Sequence, residues 1–133
     1  MNKRIIIMGH GPFPSALKES AKMLLGKVAE NIVAIELYPQ DTAEKIKQKL
    51  EDTLQATEEA LIFADILGGT PSRVIAEVVL ASNKKYEVVS GVNLPMVLQA
   101  LIDLNEKDVK TLAREIAVQG KGSIVVLSER FSE

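Results

Sequence analysis

The chain of 133 residues contains no cysteine and a single histidine, His10. Disulfides and thiol nucleophiles are therefore excluded, as are zinc fingers and the usual His/Cys metal clusters; only carboxylate-rich sites remain for a metal. Charge of one sign is lacking too, since 16 basic against 18 acidic side chains leave a net charge of -2 without long like-charge blocks. That balance argues against bulk attraction to nucleic acid or to anionic lipid. No apolar run reaches the roughly 18 to 20 residues of a membrane span, and Ile5-Ile6-Ile7-Met8 is too short for a secretion signal. These absences together point to a cytoplasmic protein. What is present is a globular balance of 47% hydrophobic and 26% charged residues. The length suits one domain over 1–133, and a chain of about 150 residues hides roughly 70% of its unfolded surface.

Short β-rich apolar runs alternate with stretches at helical spacing, the pattern of an α/β doubly wound, mostly parallel sheet with helices on both faces. Arg4 to Met8, Ile32 to Ile35, Ala60 to Ala64 and Tyr86 to Ser90 read as four strands. The first and third are apolar on both alternating faces, which places them side by side in the centre. With the second strand outside the first, the order is 2-1-3-4. Between them, Leu17, Ala21, Leu24 and Leu25 give one helical stripe ending near Gly26, and Ile46, Leu50 and Leu54 give another behind the capping pair Asp41 and Glu44. Met23 and Met96 are assigned to the core. Pro71 opens a helix lined by Val74, Ile75, Val78 and Val79, and Pro95 opens one lined by Val97, Ala100, Leu101 and Leu104. A last helix, capped by Asp108, is expected to stop at Gly120. Ser123 to Leu127 reads as a fifth, C-terminal edge strand, suited to pairing or exchange with a second copy of the chain.

Ligands of open parallel sheets sit beyond the carboxyl ends of the strands, where the winding reverses. In the order 2-1-3-4 that rule brings together the loops after strands one and three, and with them His10 and Asp65. An imidazole with one nitrogen fixed by a carboxylate presents the other as a directed nucleophile or base. Beside the pair, Gly68-Gly69-Thr70 runs into the Pro71 helix start, where exposed amides and the positive helix end favour phosphate oxygens. Gly11, Gly68, Gly69, Thr70 and Ser72 are thus the candidate phosphate-binding residues. The loop lacks the lysine of a G-x-x-x-x-G-K-[ST] cradle, and Pro14 stands where G-x-G-x-x-G requires glycine, so nucleotide binding is unsupported.

Plainer roles exist for each of these residues. Asp65 suits a cap on the following turn, Gly68 and Gly69 suit turn positions, and Asn93 suits an N-cap ahead of Pro95. A hydrolase using His10 as base and Ser72 or Thr70 as nucleophile is a rival reading, weakened by the absence of a G-x-S-x-G elbow.

Three segments carry a family resemblance: Gly9-His10-Gly11, Asp65-Ile66-Leu67-Gly68-Gly69-Thr70-Pro71, and Tyr86 through Met96. In that order, each at a strand end, they make the chain similar over essentially its whole length to the IIA domain of the bacterial mannose-type sugar phosphotransferase system (PTS). The resemblance implies a free-standing cytoplasmic phosphocarrier without cofactor or metal, peripherally associated with a membrane transporter. The histidine phosphocarrier protein HPr would phosphorylate His10, which would pass the group to a IIB subunit serving the membrane subunits IIC and IID. Asp65 matches the orienting carboxylate and Thr70 the hydroxyl residue beside the phosphoryl group. A homodimer with an exchanged C-terminal strand is implied as well. A regulatory or dihydroxyacetone-kinase-linked phosphocarrier of the same fold is the alternative. Arg73, where the mannose-type pattern has asparagine, and the proline-rich loop Pro12-Phe13-Pro14 depart from that pattern.

Overall fold

A computed structural model describes residues 3–132. In chain order it contains β1 (Lys3–His10), α1 (Phe13–Leu25), a 3-10 segment (Gly26–Asn31), β2 (Ile32–Leu37), α2 (Ala43–Leu54) and β3 (Glu59–Ala64). These are followed by α3 (Thr70–Leu80), β4 (Lys85–Ser90), α4 (Leu94–Asp103), α5 (Val109–Gly122) and a second 3-10 segment (Leu127–Arg130). All strand pairs are parallel, in the order β2-β1-β3-β4.

The alternation of side chains along a strand explains why β1 and β3 are apolar throughout. Ile5 and Ile7, with Leu61 and Phe63, face a core closed by α1, α4 and α5. Ile6 and Met8, with Ala60, Ile62 and Ala64, face the opposite core under α2 and α3. Ile5, Ile6, Ile7 and Phe63 are wholly buried, and burying such a side chain stabilises the fold by about 1.5–3 kcal/mol each. The chain leaves β1 towards β2 on one side and returns past β1 to β3 and β4 on the other. The winding therefore reverses between β1 and β3.

Helix ends follow local chemistry. Asp108 caps α5 by accepting from the Thr111 N–H at 2.9 Å, and Asn93 caps α4 by accepting from the Met96 N–H at 3.1 Å. The α2 cap differs from the expected Asp41: Thr42 Oγ1 accepts from the Lys45 N–H, while Asp41 accepts from the Tyr38 N–H and pairs with Lys45. Asp41 thus braces the turn before the helix, which begins one residue later than its capping pattern implied.

Three expectations about packing are corrected. Met23 lies two residues from the buried Ala21, about 200° around the helix, and is 89% exposed. The buried stripe of α1 is Leu17, Ala21 and Leu25, and Leu24 in the last turn is exposed. Gly120 does not end α5. It lies inside the helix because a Cβ there would stand 2.6 Å from Met96 Sδ, so the residue lets α5 approach α4 closely. Helical glycine costs about 1 kcal/mol relative to alanine, offset here by the packing.

The expected strand Ser123 to Leu127 does not form within the chain. The Ser123 N–H still bonds Gln119 O and Gly120 O at the end of α5, and the following apolar residues are irregular before the 3-10 segment. A strand needs a neighbour for its N–H and C=O groups, and among the described residues this segment has none. Ile124, Val126 and Phe131 stand exposed.

Candidate active site

His10 is the last residue of β1, opposite Leu37 of β2. Gly11 follows at φ 60, a conformation that favours glycine, and donates its N–H to Leu37 O at 2.8 Å. The chain turns there, so the imidazole projects beyond the sheet, with 48% of the side chain exposed. Asp65 follows β3 directly and extends the ladder, its N–H bonding Met8 O at 3.2 Å. The parallel register of β1 and β3 thereby brings the residues together across 55 positions of sequence.

The contact between them is specific. Asp65 Oδ2 accepts the backbone N–H of His10 at 2.8 Å and lies 2.7 Å from His10 Nδ1. Its other oxygen, Oδ1, accepts the Ile66 N–H at 2.8 Å. Burial pushes the Asp65 carboxyl up, but the backbone and side-chain bonds from His10, with that of Ile66, outweigh it and hold the group below its ordinary value. The carboxylate is therefore ionised near neutral pH and only accepts hydrogen bonds. Nδ1 must then carry the hydrogen, which leaves the Nε2 lone pair free.

Two glycines make room for this pair. A Cβ on Gly9 would stand 2.9 Å from Asp65 Cγ and Oδ2, so only glycine lets the carboxylate lie against the strand. A Cβ on Gly69 would stand 3.0 Å from His10 Cε1, so the imidazole edge rests on the entrance to α3. Gly9 was not among the residues read as functional. Its presence between an apolar strand and the histidine was the available signal.

α3 begins at Thr70 with Gly69 as N-cap and Pro71 in the first turn, and no side chain caps it. Its first backbone bond runs from the Arg73 N–H to Gly69 O, so the amides of Thr70 and Ser72 keep their hydrogens for an anion. The Ser72 hydroxyl donates instead to Ile66 O at 3.1 Å and braces the loop. Gly68 supplies the left-handed turn at φ 92. Gly11, whose amide is engaged by Leu37, contributes shape to the site.

A cleft of about 630 Å³ opens over the imidazole, lined by His10, Gly11, Thr70 and Arg73 and, from the β2 side, by Tyr38 and Asp41. The last two were not read as site residues, although the 2-1-3-4 order itself sets the β2 loop beside the β1 loop. Tyr38 donates from its hydroxyl to Glu36 Oε1 at 2.9 Å. Tyr38 in the lining is partly exposed, and Phe13, Ile66 and Leu67, close in sequence to His10 and Asp65, expose apolar surface, Leu67 at 87%. A second cleft, of about 590 Å³, lies by the amino end of β4 and is lined by Glu51, Gln55, Ser82, Lys84 and Tyr86.

Known proteins resemble the chain in sequence and in fold. A family model, EIIA-man, described as the PTS system fructose IIA component, matches residues 4–117. The chain is 34% identical to the PTS system fructose-specific EIIA component of Bacillus subtilis (strain 168), over 97% of this chain and 89% of that protein. It is 30% identical to the PTS system sorbose-specific EIIA component of Lacticaseibacillus casei, over 96% of this chain and 93% of that protein. Among solved structures, the phosphotransferase system component EIIA from Streptococcus agalactiae superposes with a TM-score of 0.88 at 29% identity, covering 96% of this chain and 98% of that one. By sequence and by fold, the chain belongs to the EIIA-man family of sugar phosphotransferase components.

Proposed function

We propose that the chain is a phosphocarrier that accepts a phosphoryl group from HPr on His10 Nε2 and hands it to a IIB subunit for sugar uptake through IIC and IID. The observation that carries this reading is the double bond-pairing of His10 to one oxygen of Asp65, which fixes both the tautomer and the direction of the free nitrogen. In the forward step the Nε2 lone pair forms a bond to phosphorus while the N–P bond of phosphorylated HPr breaks. The departing imidazole of HPr keeps the electron pair. The ring of His10 gains positive charge, which the Asp65 carboxylate offsets without taking the Nδ1 proton. Such transfer depends on positioning and on stabilising spread charge. The free amides at the start of α3 and the Thr70 hydroxyl meet the phosphoryl oxygens, with Gly68 and Gly69 shaping the loop and Gly11 and Ser72 holding its walls.

The exposed apolar side chains Phe13, Ile66 and Leu67, close in sequence to the site, support a protein as donor and acceptor, as does the half-exposed imidazole itself. Among the described residues no helix is long and apolar enough to cross a membrane, in keeping with a cytoplasmic component that docks on the membrane subunits. Homodimerisation is part of the same reading: among the described residues β4 pairs only with β3, and the apolar tail from Ile124 to Leu127 has the composition to pair with a free edge of a second copy. Transfer from phosphorylated HPr, read as an adduct on the intact chain and on a His10→Ala variant, tests the central step.

A further inference from the structure

Arg73 is the cation in the cleft that no internal partner explains. It stands exposed at the fourth residue of α3, three residues after Thr70, and both line the cleft with His10. Positions three apart share a helix face, so the guanidinium rises on the side of α3 that carries the Thr70 hydroxyl. No carboxylate pairs with it among the described residues. Asp41, the acid in the same cleft, is engaged by the Tyr38 N–H and by Lys45 at 3.4 Å.

The charge is also placed against the local field. A helix start favours acidic side chains, yet the first turn of α3 has none and the next residue is an arginine. Thr70 and Arg73, both hydrogen-bond donors, thus border one opening with His10.

Resting on the phosphocarrier reading, we infer that Arg73 binds the peripheral oxygens of the phosphoryl group once it is attached to His10 Nε2, and so stabilises the phosphorylated chain. Arginine presents parallel N–H donors suited to two phosphoryl oxygens. It forms and breaks no covalent bond. By binding the transferred group directly it shifts the exchange equilibrium towards this chain.

The test is the equilibrium constant for exchange between phosphorylated HPr and the full chain, measured by ³¹P NMR for the unaltered protein, Arg73→Gln and Arg73→Lys. That constant depends only on the free energies of the separated proteins, so docking contacts cancel from it. Arg73→Gln is expected to shift the exchange towards phosphorylated HPr by about three- to tenfold, in the range of a solvent-screened charged pair. Arg73→Lys is expected to recover part of the shift, and the KM for HPr to change less than about twofold in both. An unchanged equilibrium overturns the inference: with a raised KM, Arg73 is a partner-docking residue, and with nothing changed it has no role in transfer. Failure of the unaltered chain to accept any phosphoryl group would instead overturn the phosphocarrier reading, and this inference with it.

Discussion

Oδ2 of Asp65 holds His10 at two points, the backbone N–H at 2.8 Å and Nδ1 at 2.7 Å. One bond fixes where β1 ends relative to β3, and the other fixes how the ring is turned. Replacing Asp65 with asparagine keeps the size and removes the charge that stabilises the ring as it bonds phosphorus. Transfer to His10 should slow by on the order of 10²-fold, with the chain still folded by circular dichroism. An unchanged rate would remove the orienting role from Asp65.

Gly9 gives a steric test of the same contact. A Cβ at this position lies 2.9 Å from the Asp65 carboxyl, so Gly9→Ala must displace the carboxylate from the strand. Overpacking of this kind costs about 1–3 kcal/mol, so the melting temperature should fall along with the transfer rate. Ring-nitrogen NMR shifts of His10 should move away from the Nδ1–H form. Retention of both the rate and those shifts would show that the carboxylate does not need the space.

The depressed Asp65 carboxyl predicts an acid limb in stability. Its folded value lies below the unfolded one of about 3.9. The contribution is therefore fully present above the unfolded value and is lost as pH falls through the folded one. Denaturant titrations from pH 6 down to about 2 should show the unaltered chain losing more stability than Asp65→Asn, the two curves converging at the acid end. Parallel curves would mean that Asp65 titrates alike in the folded and unfolded chain.

Much of this site was legible because the hydrophobic pattern dictates it. Ile5 to Met8 and Ala60 to Ala64 are apolar on both faces, which puts β1 and β3 in the centre, and the strand order then brings His10 to Asp65. Other features depend on distances that no pattern encodes. Gly9 stands in a loop motif and Gly120 suits a helix end, but neither pattern shows that the Asp65 carboxyl and Met96 Sδ lie against them. Met23 carries an apolar side chain, but the phase of α1 set by Ala21 turns it outward. The tail from Ile124 to Leu127 has strand composition, and composition does not supply the neighbouring edge a strand requires. Tyr38 and Asp41 entered the cleft through the pairing of β1 with β2, a consequence of the order 2-1-3-4 that the loop glycines overshadowed.

The most direct measurement is intact-mass analysis after incubation with phosphoenolpyruvate, enzyme I and HPr. The account predicts a gain of about 80 Da, one phosphoryl group, that is lost in acid and absent from His10→Ala. No gain in the unaltered chain, or a gain that persists in His10→Ala, would contradict it.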